Sequence, residues 1–286
     1  MKHASAIELI QSVKSLRVCV AGDTIIDEYR PCVALNKSPK ENLIPVKCET
    51  SEVFMGGVHA AANHVRTFCA QVEVLSTGPI TRKVRFVELP YWRKVFEYHT
   101  TEETARYGVP VIDHDVLIVT DFGHGEFTKD ARERVCSQPC FVAVNAQTNS
   151  ANLGYNLITN YRRADYIVID EPEARLAAHD RDSPIEAIIE KLAEGRCGKF
   201  VVTRGTEGAV GYDGTRFARH RAFTSRVLDT MGAGDAFFAV TAPMAMHGSL
   251  EDLLLIGNAA GAMKCQIYGH RQSVTKSGLI QFLESL

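Results

Sequence analysis

Several absences narrow the reading of this chain before any motif is considered. Charge of neither sign is in excess: 32 Lys and Arg stand against 34 Asp and Glu, a formal net charge of −2. That balance gives no electrostatic capture of nucleic acid or of an anionic membrane surface. No apolar run is long enough to span a bilayer. There is no internal repeat and no low-complexity linker. The eight cysteines (Cys19, Cys32, Cys48, Cys69, Cys136, Cys140, Cys197 and Cys265) are scattered. The closest pair, Cys136 and Cys140, has no second pair or histidine cluster to complete a zinc site, so the reduced thiols of a cytoplasmic protein are the better reading. The opening MKHASAIELIQSVKSLR lacks a long apolar region and a cleavage signature; it reads as an amphipathic helix, not a signal peptide.

What is present is an ordinary globular composition, 45% hydrophobic and 23% charged over 286 residues, enough for a full core in one large α/β domain. Short β-branched runs occur at 17–22, 115–123, 140–147 and 165–171. Each ends in polar groups, and helix-like stretches intervene. Strands alternating with helices imply a mostly parallel sheet covered on both faces, with ligands beyond the carboxyl ends of the strands. Asp23, Asp121, Asn145, Asp170 and Thr203 fall at those ends. KFVVTRGTEGAVGYD (199–213) reads as strand, turn, strand, and the chain is mostly helical after Met231. The polar ribbon segments at 33–55 and 81–88 do not fit the sandwich and read as a small β lid.

DTMGAGDAFFA (229–239) carries the chemistry. A helix N-terminus offers unpaired N–H groups and partial positive charge, and small residues let an anion approach. Gly232, Ala233 and Gly234 form such a surface, with Asp235 in the first turn. A carboxylate beside an anion hole can accept the proton of an attacking hydroxyl while the N–H groups stabilise a moving phosphoryl group. The competing reading is a capped helix whose glycines serve packing.

The segment closely resembles the D-T-x-G-A-G-D signature of the ribokinase/PfkB carbohydrate kinases. Gly56-Gly57 followed by small residues and Asn63, the opening VAGDTIIDEY, VVTRGTEGAV (201–210) and GNAAGA (257–262) resemble further motifs of that family, in family order over nearly the whole chain. Within it, GDTIIDEY, SPKENLIPV (38–46) and TDFGHG (120–125) look most like bacterial heptose-phosphate kinases.

The resemblance implies a ribokinase-like three-layer α/β/α sandwich with a β lid, forming one domain over 1–286, and an ATP- and Mg2+-dependent sugar or sugar-phosphate kinase. It implies Asp235 as base, Gly232, Ala233 and Gly234 as anion hole, and Asp229 and Thr230 near the phosphates. Asp23, Asp27, Gly56, Gly57 and Asn63 are implied for the sugar, with Arg85 and Lys83 reaching a substrate phosphate or forming a solvated strand face. Thr203, Gly205, Gly208, Asn258 and Gly261, with Thr230, are implied for ATP. Asp170 and Glu173 stand where the family has N-x-x-E near the metal, Asp170 replacing Asn. Gln147 stands at a lysine position, His124 at another, and the 78–115 region is short. A kinase of a nucleoside or hexose phosphate, and a non-catalytic binding protein on the same fold, stay open. A homodimer through the lid strands is expected, with no nucleic-acid or membrane partner.

Overall fold

The computed structural model describes residues 3–89, 93–223 and 227–286. Six of the sequence's apolar runs become the parallel strands β1 (Arg17–Gly22), β5 (Gln71–Leu75), β8 (Val116–Asp121), β9 (Phe141–Ala146), β10 (Ala164–Asp170) and β11 (Cys197–Thr203). The hairpin strands β12 (Ala209–Tyr212) and β13 (Phe217–His220) complete an eight-stranded sheet in the order β13-β12-β11-β10-β9-β8-β1-β5. Among the described strands of this sheet β12 alone is reversed, antiparallel to β11 on one side and to β13 on the other.

Helices cover both faces, which is why the central strands are continuously apolar rather than alternating. On one face α1 (Ala4–Ser12), α2 (Val58–Val65), α6 (Ala233–Thr241), α7 (Leu250–Lys264) and α8 (Lys276–Glu284) share a core with Val18, Val20, Val116 and Ile118. On the other, α3 (Lys129–Cys136), α4 (Glu171–Ala178) and α5 (Ile185–Ala193) pack on Leu117, Val119, Val144 and Val202. The expected three-layer sandwich is therefore present, and its fold is ribokinase-like.

The lid is larger than the 33–55 and 81–88 segments suggested. It contains β2 (Thr24–Ala34), β3 (Val46–Cys48), β4 (Glu52–Gly57), β6 (Ile80–Glu88) and β7 (Arg93–Glu102). β2 lies at its centre, antiparallel to β3 and β4 on one side and parallel to β6 on the other, with β7 outside β6. β2 is hard to see in the sequence because it carries Asp27, Glu28, Arg30 and Pro31 in one run. Pro31 is tolerated because it falls between the stretch paired to β4, which ends at Tyr29, and the stretch paired to β3, which begins at Cys32; no ladder N–H is asked of it there.

Register then sorts the charges. Asp27, Lys83 and His99 stand side by side on one face, and Tyr29, Arg85 and Glu97 form the next row of it. A bulge between Phe86 and Val87 sets Lys94 opposite Val87, on that same polar face. The other face carries Val53, Met55, Val84, Phe86, Phe96 and Tyr98, in the alternating positions.

Candidate active site

α6 begins at Ala233, with Gly232 as its cap at φ +76°, a conformation that suits glycine. The loop entering it is stapled from below. Asp229 accepts from the Met231 N–H and the Gly269 N–H, both at 3.0 Å. Lys264, 1% exposed, donates to the carbonyls of Met231 (3.0 Å) and Gly269 (2.7 Å). Sequence reasoning passed over Lys264, a cation held directly under the glycine turn. The expected three-donor anion hole needs one correction: the Ala233 N–H already donates to the Thr230 carbonyl at 3.3 Å, which leaves Gly232 and Gly234 as the free expected donors. Thr230 itself is exposed.

Asp235 stands in the first turn of α6 and accepts a hydrogen bond from the Gln147 side-chain amide. Burial raises its pKa, opposed by that donor and by the charges of His270, Lys264 and Lys83. Gln147 was expected to mark a lost contact. It instead touches the carboxylate that the motif singles out.

Across from α6 lies the polar face of the lid. Asp27 is 4% exposed, paired with Arg85 and with His270 Nε2 at 3.2 Å from its Oδ2. Burial alone would raise the Asp27 carboxyl, but the His270 hydrogen bond and the Arg85 charge outweigh it and hold it at about 2. Gly56 makes this pairing possible, since a Cβ there would meet Asp27 Oδ2 at 2.1 Å. Gly57 (φ +56°) turns the chain from β4 into α2, its position closed to a side chain by the Asp23 carbonyl at 2.3 Å. Arg85 also pairs with Glu97, stacked over Tyr29, so its charge is already balanced. Lys83 and Lys94 donate no hydrogen bond among the described residues, and burial lowers both. His124 faces the same space. Its Nε2 is buried and unpaired, and burial with the charges of Lys83 and His99 lowers it to about 4. The sequence offered no signal for His270, whose loop lies outside every motif.

Two expected residues, Asp23 and Asn63, lie elsewhere. Asp23 is fully buried, and its two oxygens accept from the Phe122 N–H (2.8 Å) and the Glu126 N–H (3.0 Å); it anchors the 122–126 loop and has no surface to offer a sugar. Asn63 points to solvent on α2 and accepts from Arg66 at 3.0 Å. His64 accepts from the Val274 N–H and is neutral, its pKa lowered to about 3 by burial, a packing histidine. His59 stays half-buried beside Thr24, 3.4 Å away.

The expected nucleotide residues come together around the α6–α7 side. Thr203 ends β11 and Gly205 opens the hairpin turn. Gly208 (φ +91°) passes so close that a Cβ would meet the His220 carbonyl at 2.0 Å. That carbonyl also accepts from Asn258 on α7 at 3.4 Å, and the bare surface of Gly261 faces the Ala233 carbonyl. Asn258 Nδ2 also donates to Leu254 O at 2.8 Å, so its amide supports the wall of the site.

Asp170 and Glu173 form a capping box at the start of α4: Asp170 accepts from the Glu173 N–H, and Glu173 accepts from the Asp170 N–H. Glu173 is no solvated charge; it also accepts from the Thr148 N–H at 2.9 Å. Burial and then the Asp170 carboxylate push it up to about 8, with Asp235 adding to the rise. The Asp170 and Glu173 carboxyls, both raised by burial and by neighbouring carboxylates, are a pair that a hydrated divalent ion suits. Among the described residues no group of three ligating side chains closes around a point.

The sequence model of the family described as "pfkB family carbohydrate kinase" matches residues 136–277. That stretch holds the Gly-Ala-Gly-Asp turn, the Asp170–Glu173 cap and α7. A probable chloroplastic fructokinase of Arabidopsis thaliana is 29% identical over 126 residues, 41% of this chain and 33% of that protein. The fructoselysine 6-kinase of Escherichia coli is 29% identical over 94 residues, 32% of this chain and 36% of that protein. The chain thus spans about a third of the length of these curated relatives. Solved structures extend the likeness to the whole pfkB-like fold. A nucleoside kinase of Methanocaldococcus jannaschii superposes with TM-score 0.71 at 14% identity, covering 96% of this chain and 100% of that one. The ribokinase of Thermotoga maritima gives 0.70 at 18%, covering 94% and 99%. Phosphofructokinase-2 of Escherichia coli gives 0.71 at 13%, covering 94% and 99%.

Proposed function

We propose that this chain transfers the γ-phosphoryl group of ATP to a hydroxyl of a sugar or sugar phosphate, with a heptose phosphate as the first acceptor to try. The observation that carries this is Asp235: a desolvated carboxylate in the first turn of α6, beside the Gly232 turn, within electrostatic reach of Lys83 and His270 on the lid side. A carboxylate so placed accepts the proton of the attacking hydroxyl. The N–H groups of Gly232 and Gly234, with Lys264 beneath them, favour negative charge at the helix start. Asp27, held ionised by Arg85 and His270, accepts hydrogen bonds from acceptor hydroxyls. Lys83 and Lys94, without hydrogen-bond partners on the polar lid face, suit an acceptor that already bears an anionic group. Mg2+ supplies charge neutralisation on the phosphates when bound; Asp170 and Glu173 are the residues that would hold it, through water.

The outer face of the lid supports a homodimer. Val53, Met55, Phe96 and Tyr98 are 53%, 44%, 60% and 37% exposed on one side of it, beside the Glu28, Arg30 and Arg82 ion pairs, and exposed apolar groups rimmed by charges mark association surfaces.

The test is ADP formation from ATP and Mg2+ with heptose, heptose 7-phosphate, fructose and other hexoses, hexose phosphates, ribose and nucleosides, with Asp235→Asn beside the parent chain. Turnover with one acceptor, lost in the variant, supports the kinase. ATP binding with no turnover across the panel supports a non-catalytic binding protein. Absence of ATP binding refutes both.

A further inference from the structure

We propose that Gln147 is a positioning residue for Asp235, with Asn145 fixing the direction of its amide. The inference rests on the reading of Asp235 as the base. Both residues stand at the carboxyl end of β9, where sequence reasoning placed only a lost lysine.

The hydrogen bonds leave one orientation for the whole chain of groups. The Val168 carbonyl is an acceptor only, so the Asn145 side chain must turn its Nδ2 toward it, at 2.7 Å. Asn145 Oδ1 then faces away and accepts from Gln147 Nε2 at 3.0 Å. Gln147 is thereby obliged to present its NH2 and not its carbonyl. Its second hydrogen goes to Asp235 Oδ1. The backbone of Gln147 is held as firmly. Its N–H donates to Asp121 O at 2.8 Å, and its carbonyl accepts from Asn156 Nδ2 at 3.1 Å. A neutral amide thus arrives from β9 with both hydrogens assigned, and Asn145, 5% exposed, is itself buried.

One consequence is geometric. Oδ1 of Asp235 is tied down, which leaves Oδ2 as the oxygen free to take a proton. The other is electrostatic. A hydrogen bond to the ionised form favours it. The charged groups facing Asp235 come from every side: Lys264 on α7, His270 on the loop after it, Lys83 on β6, and Glu173 on α4 as the opposing charge. Those cations act at a distance, whereas Gln147 makes the direct contact. A lysine at this position would add charge as well as a donor; glutamine supplies the donor alone and leaves the carboxylate more basic.

The experiment needs no acceptor sugar. The intact protein is prepared with 13C-labelled aspartate carboxyls, and the Asp235 resonance is assigned by its disappearance in Asp235→Asn. Its titration is then followed in the parent chain, Gln147→Leu and Gln147→Lys. Removing a donor to a charged group shifts the midpoint up by about one pH unit, so Gln147→Leu is expected to titrate higher and Gln147→Lys lower than the parent. Asn145→Leu, which frees the Gln147 amide to rotate, is expected to shift in the same direction as Gln147→Leu by less. A midpoint unchanged in folded Gln147→Leu overturns the proposal. Should that variant not fold, near-isosteric Gln147→Glu carries the test: its like charge must lift the midpoint, and no lift overturns it. If the panel yields an acceptor, the pH profile of kcat should move with the carboxyl while KM for ATP stays put; a uniform loss at every pH means a merely structural role. A chain that turns over nothing refutes the kinase reading and leaves the titration standing.

Discussion

The Asp27–Arg85 pair yields the most demanding test of the lid. The two side chains are 4% and 7% exposed, so water screens them little. Arg85→Leu removes the guanidinium and leaves the carboxylate buried. Deleting one member of a buried ion pair costs about 3–5 kcal/mol. His270 remains 3.2 Å from Asp27 and offsets part of this, so the expected loss at pH 7.5 is about 3 kcal/mol. In the parent chain the Asp27 pKa is lowered from 3.8 to about 2. Its contribution is therefore present above pH 3.8 and lost as pH falls through 2, and is worth about 2 kcal/mol. In the variant burial, then opposed by His270 alone, moves the carboxyl up from its value in the parent chain. The penalty is then full when Asp27 is ionised and is relieved as it takes a proton on acidification. Urea unfolding of both proteins at pH 7.5 and pH 5, at matched m-values, should show the gap shrinking at the lower pH. An equal gap at both pH values, or one below about 1 kcal/mol at pH 7.5, means that the pair is solvated and the buried-charge argument fails.

Other outcomes follow from the same contacts. Asp235→Asn should lower turnover by about 10²–10⁴-fold with the folded state intact, as measured in the ADP assay. Burial, with Asp121 next, pushes Asp23 up to about 7 from 3.8; its stabilising effect is complete below 3.8 and lost as pH rises through 7, so unfolding at pH 6 should release a proton, detectable by calorimetry in buffers of different ionisation enthalpy. Gly56→Ala places a Cβ where Asp27 Oδ2 now lies and should cost about 1–3 kcal/mol, with acceptor KM rising more than ATP KM. Phe96→Asp on the outer lid face should convert a dimer to a monomer in sedimentation at micromolar concentration; a parent chain that is already monomeric there removes the lid-dimer reading.

The sheet order and the helix layers were readable because each central strand is an apolar run sealed on both faces, and such runs announce themselves locally. The lid was not, for a physical reason. β7 gives one face to a charged cleft and sets Phe96 and Tyr98 on the other, and β2 carries charges on both faces, so their composition is mixed and their pattern resembles that of a polar loop. Only the pairing of Asp27 with Lys83 and of Arg85 with Glu97 reveals that the charges share a face. The site divides in the same way. The role proposed for Asp235 was legible because it rests on a seven-residue segment and a helix start. Asp23 was misjudged because its neighbours in sequence say nothing of the 122–126 loop that consumes its oxygens. Gln147 and His270 show the converse. Each is unremarkable where it stands in the chain, and each acquires a function from a partner far away, at Asp235 and Asp27. A local motif can therefore point to the proposed base, whereas the amide that touches it stands 88 positions away in the chain. Acceptor choice belongs to that second kind of property, and Lys83, Lys94, His124 and His270 are the positions at which to change it.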